Sequence, residues 1–111
     1  MLGLLEKEYP SIEVLKYLID NGADVNTKDY FNRTPLHEVA GSNPNVDVLK
    51  FLVENGADVN AKDHAESTPL HEAANSNPNV EVLKYLIERV ADVNVKDGEG
   101  RTPLDVAGTE T

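Results

Sequence analysis

The residues best equipped for chemistry in this chain are two His-Glu pairs, His37-Glu38 and His71-Glu72. An imidazole beside a carboxylate can serve general acid–base catalysis, and both side chains are zinc ligands. The acid-rich run Asp92-Val93-Asn94-Val95-Lys96-Asp97-Gly98-Glu99-Gly100 raises calcium instead, but it lacks the ligand spacing and closing Glu of an EF-hand loop. Around Gly98-Glu99-Gly100 there is neither a preceding strand nor the Gly-Lys-Ser/Thr run that cradles phosphate. The chain has no cysteine, which removes disulfides, Cys-ligated zinc and a thiol nucleophile together.

The spacing of the two His-Glu pairs carries more information than the pairs do. They lie 34 residues apart, and the whole chain keeps that beat. All six prolines fall on two combs of the same spacing, Pro10-Pro44-Pro78 and Pro35-Pro69-Pro103. Asp24, Asp58 and Asp92 follow it, as do Asn26, Asn60 and Asn94, and the Lys-Asp pairs Lys28-Asp29, Lys62-Asp63 and Lys96-Asp97. Residues 34–67 and 68–101 differ at only 12 of 34 positions, so the chain is an array of one repeated unit. Stacked helices sit about 8–10 Å apart, whereas zinc holds its ligands at about 2 Å. Equivalent histidines on successive units therefore do not share one ion. No catalytic residue, metal site or cofactor is expected.

Within a unit the local signals predict helix, short turn, helix, extended loop. Thr34-Pro35 reads as a cap followed by proline at the first helical position, where its missing N–H costs nothing. Leu36, Val39 and Ala40 follow at helical spacing, and Gly41-Ser42-Asn43 is expected to break the helix. Asn43-Pro44 repeats the cap-plus-proline signal, with Asp47 at the positive end of the next helix. That second helix is apolar over most of its circumference, since only Asp47, Lys50 and Glu54 form a charged stripe. Such a helix needs cover on more than one side, and neighbouring units supply it. Gly22 and Gly56 end their helices as left-handed caps. Val90 holds the equivalent position, so strain is expected there, with relief from Val90→Gly. Glu66 and Asn32 stand where Gly100 occupies the last loop. Asp24, Asp58 and Asp92 are expected to bond their own backbone in turns.

A period of 34 also suits tetratricopeptide repeats, but their Trp, Gly and Tyr pattern is absent. Thr34-Pro35-Leu36-His37, Thr68-Pro69-Leu70-His71, Gly22-Ala23-Asp24-Val25-Asn26 and Gly56-Ala57-Asp58-Val59-Asn60 instead resemble the ankyrin-repeat family along nearly the whole chain. The resemblance implies an all-α solenoid of stacked helix-turn-helix units with hairpin-like loops. It places His37 and His71 in each repeat's own hydrogen-bond network. The usual ankyrin period is about 33. The extra residue falls in the inter-helix turns Gly41–Asn45 and Asn75–Asn79. Residues 1–111 form a single domain on this reading. Residues 1–33 are an atypical or truncated first repeat, 34–67 and 68–101 are full repeats, and 102–111 are a truncated last one. Residues 1–9 align with a first helix but lack Thr-Pro-Leu-His, and Thr102-Pro103-Leu104-Asp105-Val106-Ala107 starts a helix with no second one after it. Repeat 68–101 is therefore expected to expose Leu83 and Leu86, and the chain to be a fragment of a longer array or to self-associate through its exposed end repeats.

Charge narrows the partner. Ten basic residues face twenty acidic ones, a net charge of −10. Nucleic acid and anionic membrane need the opposite surface, so a protein of basic or mixed charge is expected. No apolar run spans a bilayer, and Met1-Leu2-Gly3-Leu4-Leu5-Glu6 lacks a signal peptide's basic start, so a cytoplasmic or other intracellular location is expected.

Residues that hold the fold recur, whereas residues that serve a partner need not. The differences between units gather in Tyr30-Phe31-Asn32-Arg33, His64-Ala65-Glu66-Ser67 and Gly98-Glu99-Gly100-Arg101. The ankyrin resemblance implies that these are hairpin tips, which bind together with the first-helix face. The candidate partner-binding residues are Tyr30, Phe31, Arg33, Ser42, His64, Ala65, Ser67, Asn75, Ser76, Glu99 and Arg101. Two aromatics beside an arginine have the composition of an interface hot spot. Arg33 and Arg101 are placed to flank a groove and meet a carboxylate. The expected function is a non-catalytic protein-interaction module. The alternative is a structural spacer of a longer scaffold, or an engineered repeat protein, with no partner of its own.

Overall fold

Among the described residues, six helices alternate between an inner and an outer layer. The computed structural model describes residues 12–90 and 92–107, so the expected first helix over 1–9, the Pro10 signal and the last four residues lie outside the described residues. The helices are α1 (Ile12–Asp20), α2 (Pro35–Ser42), α3 (Val46–Glu54), α4 (Pro69–Ser76), α5 (Val80–Ile87) and α6 (Pro103–Val106). No described residue lies in a strand. The all-α architecture is thus the one expected. Helices α2, α4 and α6 stack as the inner layer, and α1, α3 and α5 as the outer one.

Each inner helix starts on the same chemistry. Thr34 is extended, its Oγ1 accepts the His37 N–H, and Pro35 follows at the first helical position. The imidazole reaches back, His37 Nδ1 accepting the Thr34 N–H at 3.1 Å, so a histidine does the work that Glu or Gln does in a capping box. Thr68 and His71 repeat this pairing, and at α6 Asp105 replaces the histidine.

The turn between helices corrects the sequence reading. Gly41 and Ser42 remain helical, and Asn43 is the C-cap of α2, its N–H bonded to the Val39 carbonyl. The N-cap of α3 is Asn45, whose Oδ1 accepts the Asp47 N–H at 3.0 Å, while Asn43 Oδ1 accepts the Asn45 N–H. Two asparagines flank Pro44, and the second one caps because the first is already committed to closing α2. In the next unit Asn77 Nδ2 donates to the carbonyls of Ala40 and Asn43, and Asn79 Nδ2 donates to that of Pro44. The lengthened turn thereby fastens one repeat to the one before it.

Gly22 and Gly56 have φ of +101° and +99° and close their helices in Schellman motifs, with Ala23 N–H bonded to Leu18 O and Ala57 N–H to Leu52 O. Val90 does not follow. Helix α5 stops at Ile87, and the amides of Arg89 and Val90 both return to the Leu86 carbonyl. Val90 is not left-handed, so it carries no strain of the kind expected. Asn26 clips the following loop by donating to Gly56 O and accepting from Asp58 N.

The core runs between the layers through Leu36, Leu49, Leu52, Leu70 and Leu86, each no more than 1% exposed. Burying one such leucine contributes about 2 kcal/mol. Leu86 was expected at an exposed end, but it is buried against α3, and Leu83 is half-buried. Gly41 lets α2 and α4 approach closely. A Cβ there would lie 3.3 Å from Glu72 Cβ, and the Gly41 carbonyl accepts from Ser76 Oγ at 2.8 Å.

Candidate interaction surface

Three loops project from the stack in register, each folded around one aspartate. Asp29 Oδ1 accepts the N–H groups of Phe31 and Arg33, and Asp63 and Asp97 repeat the pattern with Ala65 and Ser67, and with Glu99 and Arg101. The backbone N–H of Arg33 is the main cause that holds the Asp29 carboxyl below its ordinary pKa of 3.8. Burial pushes Asp97 up, but the N–H groups of Arg101 and Glu99 and the Arg101 side chain outweigh it and leave its pKa lowered. Each loop turns through a left-handed residue, Asn32 (φ 64°), Glu66 (φ 63°) and Gly100 (φ 78°). The loops are stitched to one another by His64 N–H to Phe31 O at 2.9 Å and Gly98 N–H to Ala65 O at 2.8 Å. The turn aspartates Asp24, Asp58 and Asp92 each accept an N–H two residues on, as expected.

The histidines belong to this framework. His37 Nε2 lies 2.8 Å from the Ser67 carbonyl, which only accepts, so Nε2 carries the proton and Nδ1 accepts from Thr34. His71 does the same between Thr68 and the Arg101 carbonyl. Both rings are buried with each nitrogen engaged, which leaves neither to meet a substrate or an ion. The described residues hold no group of His, Cys, Asp and Glu with metal-binding geometry.

The candidate residues divide into two sets. Tyr30 and Phe31 are 85% and 59% exposed and stack edge to face, ring centroids 5.3 Å apart. His64, Ala65 and Glu99 continue that row of exposed loop residues. Behind the row lies a groove of about 290 Å³ whose walls include Arg33, Ser67, Glu72, Asn75 and Arg101. The two arginines do flank a groove, but the carboxylates they meet are the protein's own. Arg33 Nε lies 2.8 Å from Glu38, and its Nη1 is 3.1 Å from Asp63 and 3.3 Å from Glu72. Burial opposes the charge on Arg33, and the hydrogen bonds to Glu38 and Glu72 more than restore it, so its pKa is raised. Arg101 pairs with Asp97 at 3.0 Å and remains half-exposed. Ser67 donates to Glu72, Ser42 to the Glu38 carbonyl, and Ser76 to that of Gly41.

Asp63, Glu72 and Asp97 were missed as groove residues. The 34-residue comb places Asp63 and Glu72 one repeat beyond Asp29 and Glu38, but only the stacking of the repeats brings them to Arg33.

A family model described as ankyrin repeats in three copies matches residues 39–110, and a second, ankyrin repeats in many copies, matches 7–53. The chain belongs to the ankyrin-repeat family. Ankyrin repeats generally serve as non-catalytic protein–protein interaction modules. The chain is also similar to protein fem-1 homolog A of Rattus norvegicus and of Bos taurus, each 49% identical over 35 residues. These matches cover 32% of this chain and 5% of each relative, so only a small part of those proteins is shared. Fem-1 homolog A-A of Mus musculus matches to the same extent. Among the described residues no helix is long and apolar enough to cross a membrane.

Proposed function

We propose that this ankyrin domain holds a protein partner along its loop tips and the groove behind them, and that it catalyses no reaction. The observation that carries the reading is the exposed Tyr30–Phe31 pair, at the head of a row of loops whose backbones are fixed by Asp29, Asp63 and Asp97. Pre-folded loops lose little entropy on binding, and two large aromatics supply contact area with few rotatable bonds. The groove adds direction. Its carboxylates are paired with Arg33 and Arg101, so a partner's arginine or lysine exchanges one ion pair for another, whereas the half-exposed Arg101 meets a partner carboxylate. The net charge of −10 favours a basic or mixed-charge partner surface and speeds its approach.

The test compares capture from cell extract by the intact chain and by a folded Tyr30→Ala/Phe31→Ala variant. The expected result is a protein retained by the first and lost by the second, with the purified pair then titrated to confirm direct contact. Equal capture by both, or none by either, rejects the tips as the site. The spacer reading then moves ahead, favoured by the apolar faces that both ends of the outer layer present.

A further inference from the structure

Each outer helix carries two apolar stripes, one toward the preceding repeat and one toward the following repeat. In α3 the first stripe is Val48, Phe51 and Leu52 and the second is Val46, Leu49 and Val53, and all six are buried or half-buried because α1 and α5 lie on either side. In α5 the first stripe, Val82, Tyr85 and Leu86, is buried against α3. Its second stripe is open at both ends, with Val80 56% and Ile87 43% exposed on either side of the half-buried Leu83. Helix α1 has the reverse pattern. Its second stripe, Ile12, Leu15 and Ile19, packs on the core, whereas Tyr17 and Leu18 of the first are 72% and 51% exposed.

The two open stripes are the two halves of one interface that the molecule already builds internally. Residues 13–19 and 81–87 are the same sequence, Glu-Val-Leu-Lys-Tyr-Leu-Ile. Seating α1 of one copy on α5 of another therefore repeats, side chain for side chain, the way α5 seats on α3, apart from the helix beneath. The receiving face continues inward as an apolar groove of about 310 Å³ that reaches Leu104. Leu104 is 83% exposed, while its equivalents Leu36 and Leu70 are buried at 0% and 1%. We propose that copies of this chain associate head to tail, α1 of one on α5 of the next, extending the solenoid across the junction. The contact joins unlike surfaces, so it builds open rows rather than closed dimers unless the rotation returns on itself. This inference is independent of the tip-binding reading, because it uses residues on the ends of the outer layer.

Sedimentation of the intact chain over about 10 μM to about 1 mM tests it, the range in which weak specific contacts become visible. The average mass is expected to grow with concentration. Tyr17→Glu spoils only the head and Ile87→Glu only the tail, and both positions are exposed enough to accept a charge without unfolding, which circular dichroism verifies. Each variant alone is expected to stay monomeric, and an equimolar mixture to form a species of two chains and nothing longer, since one intact head meets one intact tail. An intact chain that stays monomeric throughout overturns the proposal. So does association of either variant alone, or a mixture that stays monomeric.

Discussion

The Nε2–H of His37 donates to the carbonyl of Ser67 at 2.8 Å, tying the first turn of one inner helix to the loop that leads into the next. The same ring accepts the Thr34 N–H, and Thr34 is 3% exposed, so the imidazole satisfies a backbone N–H that water does not reach. His37→Ala leaves both groups unpaired around a cavity and should lower stability by about 3 kcal/mol. His64→Ala, at an exposed loop position, should cost less than about 0.5 kcal/mol. Urea unfolding of the two variants decides it, and similar small losses in both would show that the Ser67 carbonyl does not depend on the ring.

Glu66 sits at φ 63°, a conformation that costs a non-glycine residue about 1–2 kcal/mol. Its ion pair with Lys62, at 3.6 Å between largely exposed side chains, returns little of that. Glu66→Gly should therefore stabilise the domain by about 0.5–1 kcal/mol after the entropy lost by glycine is counted. Val90→Gly should do the opposite and cost about 0.5–1 kcal/mol, because Val90 is not left-handed and glycine brings only its unfolded-state freedom. Thermal melts of the pair give opposite signs if backbone conformation, rather than repeat position, is what matters.

That contrast shows which parts of the fold were legible in the sequence. The Thr-Pro-Leu-His tetrads at 34 and 68 located the starts of the inner helices to the residue, because cap, proline and apolar spacing all agree there, whereas the end of α2 runs through the expected breakers Gly41 and Ser42. The outer-helix start was misplaced by two residues because Asn43 and Asn45 are equally good caps, and only the closing of α2 decides between them. Val90 was misread because a repeat alignment assumes that equivalent positions share a conformation, while α5 ends one residue sooner than its counterpart and removes the need for a left-handed residue. Tyr30 and Phe31 were readable as exposed tip residues. The pairing of Arg33 with Asp63 and Glu72, 30 and 39 residues away, was not read, since it exists only once the repeats are stacked.

Among the described residues the buried Tyr85 hydroxyl has no hydrogen-bond partner, although its ring packs under the Arg89 guanidinium at 3.7 Å. A buried hydroxyl left unpaired costs about 1–3 kcal/mol, and the equivalent position in the preceding repeat is Phe51. Tyr85→Phe keeps the ring and its cation–π contact and should raise stability by about 1 kcal/mol. A lower urea midpoint for this variant would mean that the hydroxyl has a partner in solution.

Acid should weaken two of the loops and the start of α6 through three aspartates. The carboxyls of Asp29, Asp97 and Asp105 all have pKa values lowered from 3.8. The Arg33 backbone N–H is the largest cause at Asp29, and the Thr102 backbone N–H the largest at Asp105. At Asp97 burial works the other way and is overcome by the Arg101 and Glu99 amides. A carboxyl whose pKa is lower folded than unfolded binds fewer protons in the native state, so stability falls as pH is lowered wherever the unfolded chain takes up the proton first. The contribution is complete above the unfolded value, about 4, and drains away below it as pH falls through the folded values. Relief of repulsion among the excess carboxylates acts in the other direction, because the chain carries a net charge of −10. The difference between intact chain and variant isolates the site. Asp97→Asn should be less stable at neutral pH, and its urea midpoint should decline less than that of the intact chain between about pH 5 and about pH 3. Parallel acid profiles would mean that the loop amides hold the neutral and charged forms of Asp97 equally well.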